Sequence, residues 1–179
     1  MQAIRNEGNV AEARFLKKWP AATKPPRQKD GDWSIVVDGV QVCVEVKKCA
    51  AGAGEGGTIN QIRAIKYIPM LVFNPTLEIW VVVPAAELVR RAAGKQRGQH
   101  TEISFESMNL SFRDLAEFGC SEENLIDAVI AAVRFDREHR ILQVAMVALA
   151  AQIRRVADRA MAEAGRLADE VPHFRLPCG

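Results

Sequence analysis

The most regular apolar and polar pattern in the chain runs from Asp32 to Lys48, D-W-S-I-V-V-D-G-V-Q-V-C-V-E-V-K-K. Trp33, Ile35 and Val37 recur at every second position, and after Asp38-Gly39 the same period resumes at Val40, Val42, Val44 and Val46. A period of two predicts strands, and Asp-Gly between two such runs predicts a two-residue hairpin turn with positive φ at both central residues. That turn fixes the register: Val37 faces Val40, Val36 faces Gln41, Ile35 faces Val42, Ser34 faces Cys43, Trp33 faces Val44 and Asp32 faces Glu45. One face of the hairpin is then apolar, and the other carries Gln41, Cys43, Glu45 and Lys47 with Asp32.

Before the hairpin, Asn9 to Trp19 places Val10, Ala13 and Leu16, with Phe15 and Trp19, at helical spacing, and puts Glu12 at the edge of that stripe. Pro20 ends the helix, and Pro25-Pro26 begins an extended, flexible, basic loop. After the hairpin, the glycines of Cys49 to Gly57 predict a mobile loop. Thr58 as an N-cap, with Gln61 at the capping-box position, predicts a helix from Ile59 to about Tyr67 that exposes Arg63 and Lys66 and closes at Pro69. Met70 to Phe73 and Ile79 to Val83 are continuous apolar runs around Asn74-Pro75, the signature of central strands covered on both faces. Ala85 to Ala93 reads as a short helix, and Arg97 to Phe105 as a polar loop entering another short strand. From Ser111 the chain turns helical, with Gly119 as a stop and Ser121 as a new N-cap. From about Arg137 to Asp169 a heptad spacing sets Leu142, Leu149 and Val156 against Met146, Ile153, Ala160 and Leu167.

Strands alternating with helices define an α/β class. The 179 residues suffice for one sizeable core, or for a smaller core with a helical appendage. The division expected is a core over 1–118, a helical segment over 119–171 for packing or dimerisation, and a tail over 172–179. A hydrophobic content of 49% and a charged content of 26% exclude a mainly disordered chain.

The net charge of +2 is too small to argue nucleic-acid binding, so its distribution matters more. Arg14, Lys17, Lys18, Lys24, Arg27 and Lys29 follow one another with no acid among them, and Arg90, Arg91, Lys95 and Arg97 form a second cluster. Each cluster is open to two readings, a phosphate footprint or a solvated surface. The four cysteines have neither C-x-x-C nor zinc spacing. No nucleotide-binding fingerprint is present. The charged N-terminus is unlike a signal peptide, and the longest nearly apolar run is too short for a bilayer, so a reduced, cytoplasmic protein is expected. His100 is read as a surface loop residue, and His173 and Cys178 lie too close to the end of the sequence to be assigned a role.

Two carboxylates directly opposite each other on a sheet repel, so Asp32 and Glu45 beside Lys47 require compensation. A divalent cation supplies it in one reading; in the other, Lys47 and Lys48 neutralise a solvated hairpin end. Asp30 is a rival to Asp32, which the two-residue turn favours.

Glu12 in the string Gly8-Asn-Val-Ala-Glu12, Asp32 opening one strand, and Glu45-Val46-Lys47 closing the next resemble the PD-(D/E)xK nuclease superfamily, and most the archaeal-type Holliday-junction resolvase branch. The ordered set covers about residues 8 to 83. Gly31 stands where the family name has proline, and a Pro/Lys-rich loop fills the stretch from Glu12 to Asp32.

The resemblance implies a restriction-endonuclease-like mixed β-sheet flanked by helices, here with a C-terminal helical hairpin or long helix. It implies Asp32, Glu45 and Lys47 as catalytic residues, with Asp32, Glu45, the Val46 carbonyl and Glu12 around magnesium, for which manganese would substitute. Gln61 is an auxiliary candidate, and Lys24, Arg27, Lys29, Lys48, Arg63 and Lys66 are candidates for contacts to DNA. The expected function is a magnesium-dependent DNA endonuclease of restriction or junction-resolving type, acting as a homodimer, without a membrane or a nucleotide cofactor. A non-catalytic, dimeric DNA-binding or scaffold protein of the same fold is the alternative.

Overall fold

The computed structural model describes residues 2–49, 57–93 and 106–170. The glycine-rich stretch up to Gly56, Lys95, Arg97, His100, the expected strand entry near Phe105, and the tail with His173 and Cys178 lie outside them. The chain divides into two units, Met1–Gln143 and Val144–Gly179.

In the first unit, helix α1 (Gln2–Lys18) precedes the hairpin of β1 (Trp33–Val37) and β2 (Val40–Lys48). Then come β3 (Thr58–Ile62), β4 (Met70–Asn74), β5 (Ile79–Val83), helix α2 (Ala85–Ala93), β6 (Met108–Ser111), β7 (Gly119–Cys120) and helix α3 (Leu125–Glu138). The main sheet has the order β1-β2-β4-β5-β7, and β3 and β6 pair as a separate ribbon. The β2–β4 pair is parallel while the other main-sheet pairs are antiparallel, so the sheet is mixed.

The hairpin register is the expected one from Trp33↔Val44 to Val37↔Val40. Asp38 and Gly39 both take positive φ, 51° and 75°, as a turn matched to strand twist requires. Arg134 and Arg137 of α3 hold the Asp38 carboxylate from across the fold, and their guanidinium groups keep it below the ordinary carboxylate range.

One sheet face is buried by α1 and α3. Ala11 and Phe15 meet Ile35, Val37, Val44, Val46, Leu71, Phe73, Trp80 and Val82, with Leu125, Val129, Ala132 and Val133 closing the layer. Phe15, Phe73 and Trp80 are essentially inaccessible, and truncating any one would cost about 3–5 kcal/mol. Of the expected helical stripe, Phe15 is buried and Leu16 and Trp19 pack against the core, but Ala11 takes the place of Val10, which is 46% exposed, and Ala13 faces solvent. Phe15 is the largest apolar residue available, and burying it rotates Val10 outward. Val40, at the end of the hairpin, is exposed as well.

Three further expectations change. Residues 58–62 form a strand and not a helix. Ile59 and Ile62 are both buried, but they reach the same side through an irregularity at Asn60 and Gln61, where Gln61 takes φ 55°. Only the short turn Ala64–Lys66 that follows is helical. Ser121 caps no helix: its oxygen accepts from the Asn124 amide in a turn, and Asn124 occupies the N-cap of α3. Finally, the loop that Pro25-Pro26 begins is not extended throughout, since Gln28–Asp30 form a short helical turn, and the chain just before it is pinned. Thr23 and Ser34 exchange backbone hydrogen bonds of 2.9 and 2.7 Å, which covers the outer edge of β1.

The first unit retains β7 and α3, because Cys120 pairs with Trp80 and α3 supplies part of the core. Asp136 of α3 accepts hydrogen bonds from the Ala85 and Ala86 amides at 2.8 Å, capping α2. The Tyr67 hydroxyl donates to the His139 carbonyl at 2.8 Å, where α3 ends.

The last helix, α4 (Arg140–Glu170), is a single long helix. In the second unit, Leu149, Ile153, Val156 and Leu167 are exposed at the heptad positions read from the sequence. No helix among the described residues is long and apolar enough to cross a membrane.

Candidate active site

β2 carries the site because its alternation splits the strand between two faces. Val44 and Val46 enter the α1/α3 core, and Glu45 and Lys47 project from the opposite face, in register with Met70 and Val72 of β4. The Glu45 amide donates to the Pro69 carbonyl, so the backbone groups of Glu45 point toward β4. Those of Val46 therefore point to the β1 side, where the Val46 amide donates to Asp32 Oδ2 at 2.8 Å. The Val46 carbonyl turns to that same side.

Asp32 lies just outside β1: its amide donates at 2.9 Å to the carbonyl of Val44, the residue that Trp33 faces, and the expected Asp32–Glu45 pairing is not part of the β1–β2 register. Gly31, immediately before it, takes φ 153°. A Cβ there would lie 3.0 Å from the Val44 carbonyl oxygen and 3.1 Å from Cys43 Cβ. Only glycine suits this conformation and this approach.

Asp32, Glu45, Lys47, Lys29, Gln61, Arg63 and Lys66 line one open cavity of about 380 Å³. On the inner side, Ile62, Met70 and Leu88 back Glu45 and Lys47 with apolar surface. The hairpin register, the β3 irregularity and the short helical turn after it together bring these side chains to one place.

The two central carboxylates are treated differently. Lys66 Nζ lies 2.7 Å from Glu45 Oε2, and Lys47 Nζ lies 3.3 Å from Glu45 Oε1. Burial pushes Glu45 upward, but the Lys66 hydrogen bond and the Lys47 and Lys66 charges outweigh it and hold Glu45 below the ordinary glutamate range. Asp32 is raised instead. Burial contributes most, the neighbouring Glu45 carboxylate next, and the Val46 amide and the Lys47 charge only partly oppose them. Among the described residues, no lysine or arginine closes an ion pair on Asp32.

Glu12 comes to the site from α1, and its charge also raises Asp32. Its Oε2 is already held by Trp33 Nε1 at 2.9 Å and Lys24 Nζ at 3.2 Å. Among the described residues, no group of three or more His, Cys, Asp or Glu side chains is gathered for a metal ion.

The basic candidates separate. Lys29 and Arg63 stand exposed on the cavity wall, while Lys66, expected at the surface, is only 14% exposed and bound to Glu45. Lys24 lies 3.6 Å over the Trp33 ring and donates to the Asp32 carbonyl at 3.1 Å. Arg27 pairs with Asp30 at 2.9 Å, which draws Asp30 into its own turn and leaves the cavity to Asp32. Lys48 ends β2 beyond the cavity wall. Arg14 stacks on Phe73 and pairs with Glu122, and Arg90 and Arg91 are held by Glu87 and Glu117, so these arginines serve the fold.

Sequence reading missed the Lys66–Glu45 pair and the Trp33–Glu12 hydrogen bond. Each joins side chains 21 positions apart, and the first depends on the strand and turn that replaced the expected helix.

No protein-family model matches the chain. No curated protein matches it. Among solved structures it is similar to a bacterial homing endonuclease, I-Ssp6803I, with a TM-score of 0.41 and 14% identity, over 60% of this chain and 76% of that one.

Proposed function

We propose that this protein is a magnesium-dependent DNA endonuclease of the PD-(D/E)xK kind, with a restriction-endonuclease-like core. The supporting observation is the company kept by Asp32: with Glu45 and Lys47 it lines one open cavity, walled by Lys29 and Arg63. Hard carboxylate oxygens suit magnesium, which is commonly held by one or two carboxylates together with a substrate phosphate. The donor set fits, because Asp32 has negative neighbours and no ion-pair partner among the described residues, and the Val46 carbonyl turns toward it.

When bound, the cation supplies charge neutralisation to the scissile phosphodiester and its leaving oxygen. Lys47 holds the attacking water and stabilises the charge that grows on the phosphoryl group. Glu12 adds negative charge beside Asp32 and fixes Trp33. Gln61 contacts water or phosphate at the rim. Lys29 and Arg63 take flanking phosphates, with Lys24, Arg27 and Lys48 further along the backbone path. Manganese substitutes for magnesium.

The proposal includes a cytoplasmic homodimer joined through α4, whose exposed Leu149, Ile153, Val156 and Leu167 supply an apolar seam. Two active sites related by two-fold symmetry suit cleavage of both strands, either in restriction or in junction resolution.

One observation favours the alternative of a non-catalytic, dimeric DNA-binding or scaffold protein: both oxygens of Glu45 already have lysine partners. The two readings separate when wild type, Asp32→Ala and Lys47→Ala are incubated with plasmid and with branched DNA, in magnesium or in chelator. Magnesium-dependent nicking or linearisation by the wild type alone supports the enzyme. Binding by all three proteins with no cleavage supports the scaffold.

A further inference from the structure

The cavity contains two carboxylates and three ammonium or guanidinium groups besides Lys47, and their pairing is lopsided. Glu45 is saturated: Lys66 occupies Oε2 at 2.7 Å and Lys47 faces Oε1 at 3.3 Å. Both members of the Lys66 pair are largely sheltered, at 14% and 15% exposure, so Lys66 is held there by its surroundings and is not a surface side chain sampling the cavity. Asp32 spends Oδ2 on the Val46 amide, and among the described residues no basic side chain pairs with it.

We infer that Lys66 stands in the place of a second metal ion, so that the site takes a single divalent cation, on the Asp32 side of the cavity. This rests on the nuclease reading above.

A second cation approaching Glu45 must displace an ammonium already in hydrogen-bond contact. A first cation at Asp32 displaces no such partner. Two divalent ions a few ångströms apart also repel strongly, and nuclease sites that hold a pair need enough anionic ligands to offset both charges. Here Lys66 and Lys47 together bring two positive charges to Glu45, which offset the carboxylate a second ion would need. The positive charge a second metal would place beside the phosphodiester is instead supplied by Lys66, fixed on the turn after β3. Lys66 is thus a positioning and specificity-determining residue, which sets how many ions the site accepts.

Manganese binding, followed by loss of the free aqueous Mn²⁺ signal in electron paramagnetic resonance, tests this without relying on cleavage. The full chain is titrated as wild type, Lys66→Met, Lys66→Arg and Asp32→Ala, with folding checked by circular dichroism. The expected result is one bound Mn²⁺ per wild-type chain and one for Lys66→Arg. Lys66→Met doubles this to two and gains a spin-coupled spectrum, and Asp32→Ala loses the wild-type ion. Two ions on the wild type would overturn the inference and leave the nuclease reading intact. One ion on a folded Lys66→Met chain would likewise overturn it. No ion on the wild type would overturn the metal site itself, and the inference with it.

Discussion

Lys66 and Glu45 form a direct ion pair of 2.7 Å between two side chains that are each about 15% exposed or less. Removing one member of a sheltered pair leaves the other charge poorly solvated. Lys66→Ala should therefore destabilise the fold by about 3 kcal/mol, the low end of the range for breaking a buried pair, since Lys47 still faces Glu45. A urea titration measures this. The double variant Lys66→Met/Glu45→Gln, which strands no carboxylate and leaves only Lys47, 21% exposed, without its partner, should recover part of the loss.

Gln61 sits at φ 55°, a left-handed conformation that costs a side-chain-bearing residue about 1 kcal/mol. Its amide donates to Asn109 Oδ1 at 3.2 Å, a bond that any residue other than proline can make. Gln61→Gly should therefore raise unfolding free energy by about 1 kcal/mol, while removing the side chain from the cavity rim. A gain in stability with weaker cleavage would separate the two roles; a loss of stability would contradict the conformational account.

Lys29 and Arg63 are exposed on the cavity wall and are the basic residues best placed for phosphates. Lys29→Ala and Arg63→Ala should each weaken DNA binding to a similar degree on unrelated sequences, and each should reduce the slope of log K against log salt by about 1. Fluorescence anisotropy across a salt series gives both quantities. Arg90→Ala, whose guanidinium is engaged by Glu87, should leave the slope unchanged.

Asp136 is buried and raised from 3.8 to about 6. Burial is the chief cause, and the Ala86 and Ala85 amides oppose it. The folded state thus holds this proton more tightly than the unfolded state does. Stability from this group is greatest below about pH 4, falls by up to about 3 kcal/mol as pH rises to 6, and is level above that. Unfolding free energy measured from pH 3.5 to 7.5 should show this decline in the wild type and lose it in Asp136→Asn.

The hairpin was legible because its signals agree: alternation, the Asp-Gly turn and the apolar partners all specify one register, and a slip by one residue would invert every side chain. The central strands were legible from their unbroken apolar runs. Residues 58–67 were misread because Ile59 and Ile62, three apart with a capping-type Thr58, satisfy a helical pattern equally well. The strand emerges only through pairing with Met108 to Ser111, nearly fifty positions later. In α1, Phe15, Leu16 and Trp19 were legible, but Val10 was read in place of Ala11, because both are apolar and only the fit of Phe15 against the sheet distinguishes them.

At the site, alternation was enough to put Glu45 and Lys47 on one face of β2, away from Val44 and Val46, whereas Asp32 reaches the same cavity from just outside β1. It gave no sign that a second lysine would occupy Glu45, since that contact depends on how residues 63–67 fold back toward β2. The same fold-back converts Lys66 from an expected surface residue into a wall of the cavity.

The most direct test is the single-turnover cleavage rate of wild type and Lys47→Met on plasmid and on branched DNA, in magnesium, with DNA saturated by protein. Methionine keeps the aliphatic stem and removes the charge. The expected result is a rate lower by about 10² to 10³-fold, with DNA affinity changed by no more than about threefold. Equal rates at equal occupancy, or cleavage that survives both Lys47→Met and Asp32→Ala, would contradict the assignment of this cavity as the catalytic site.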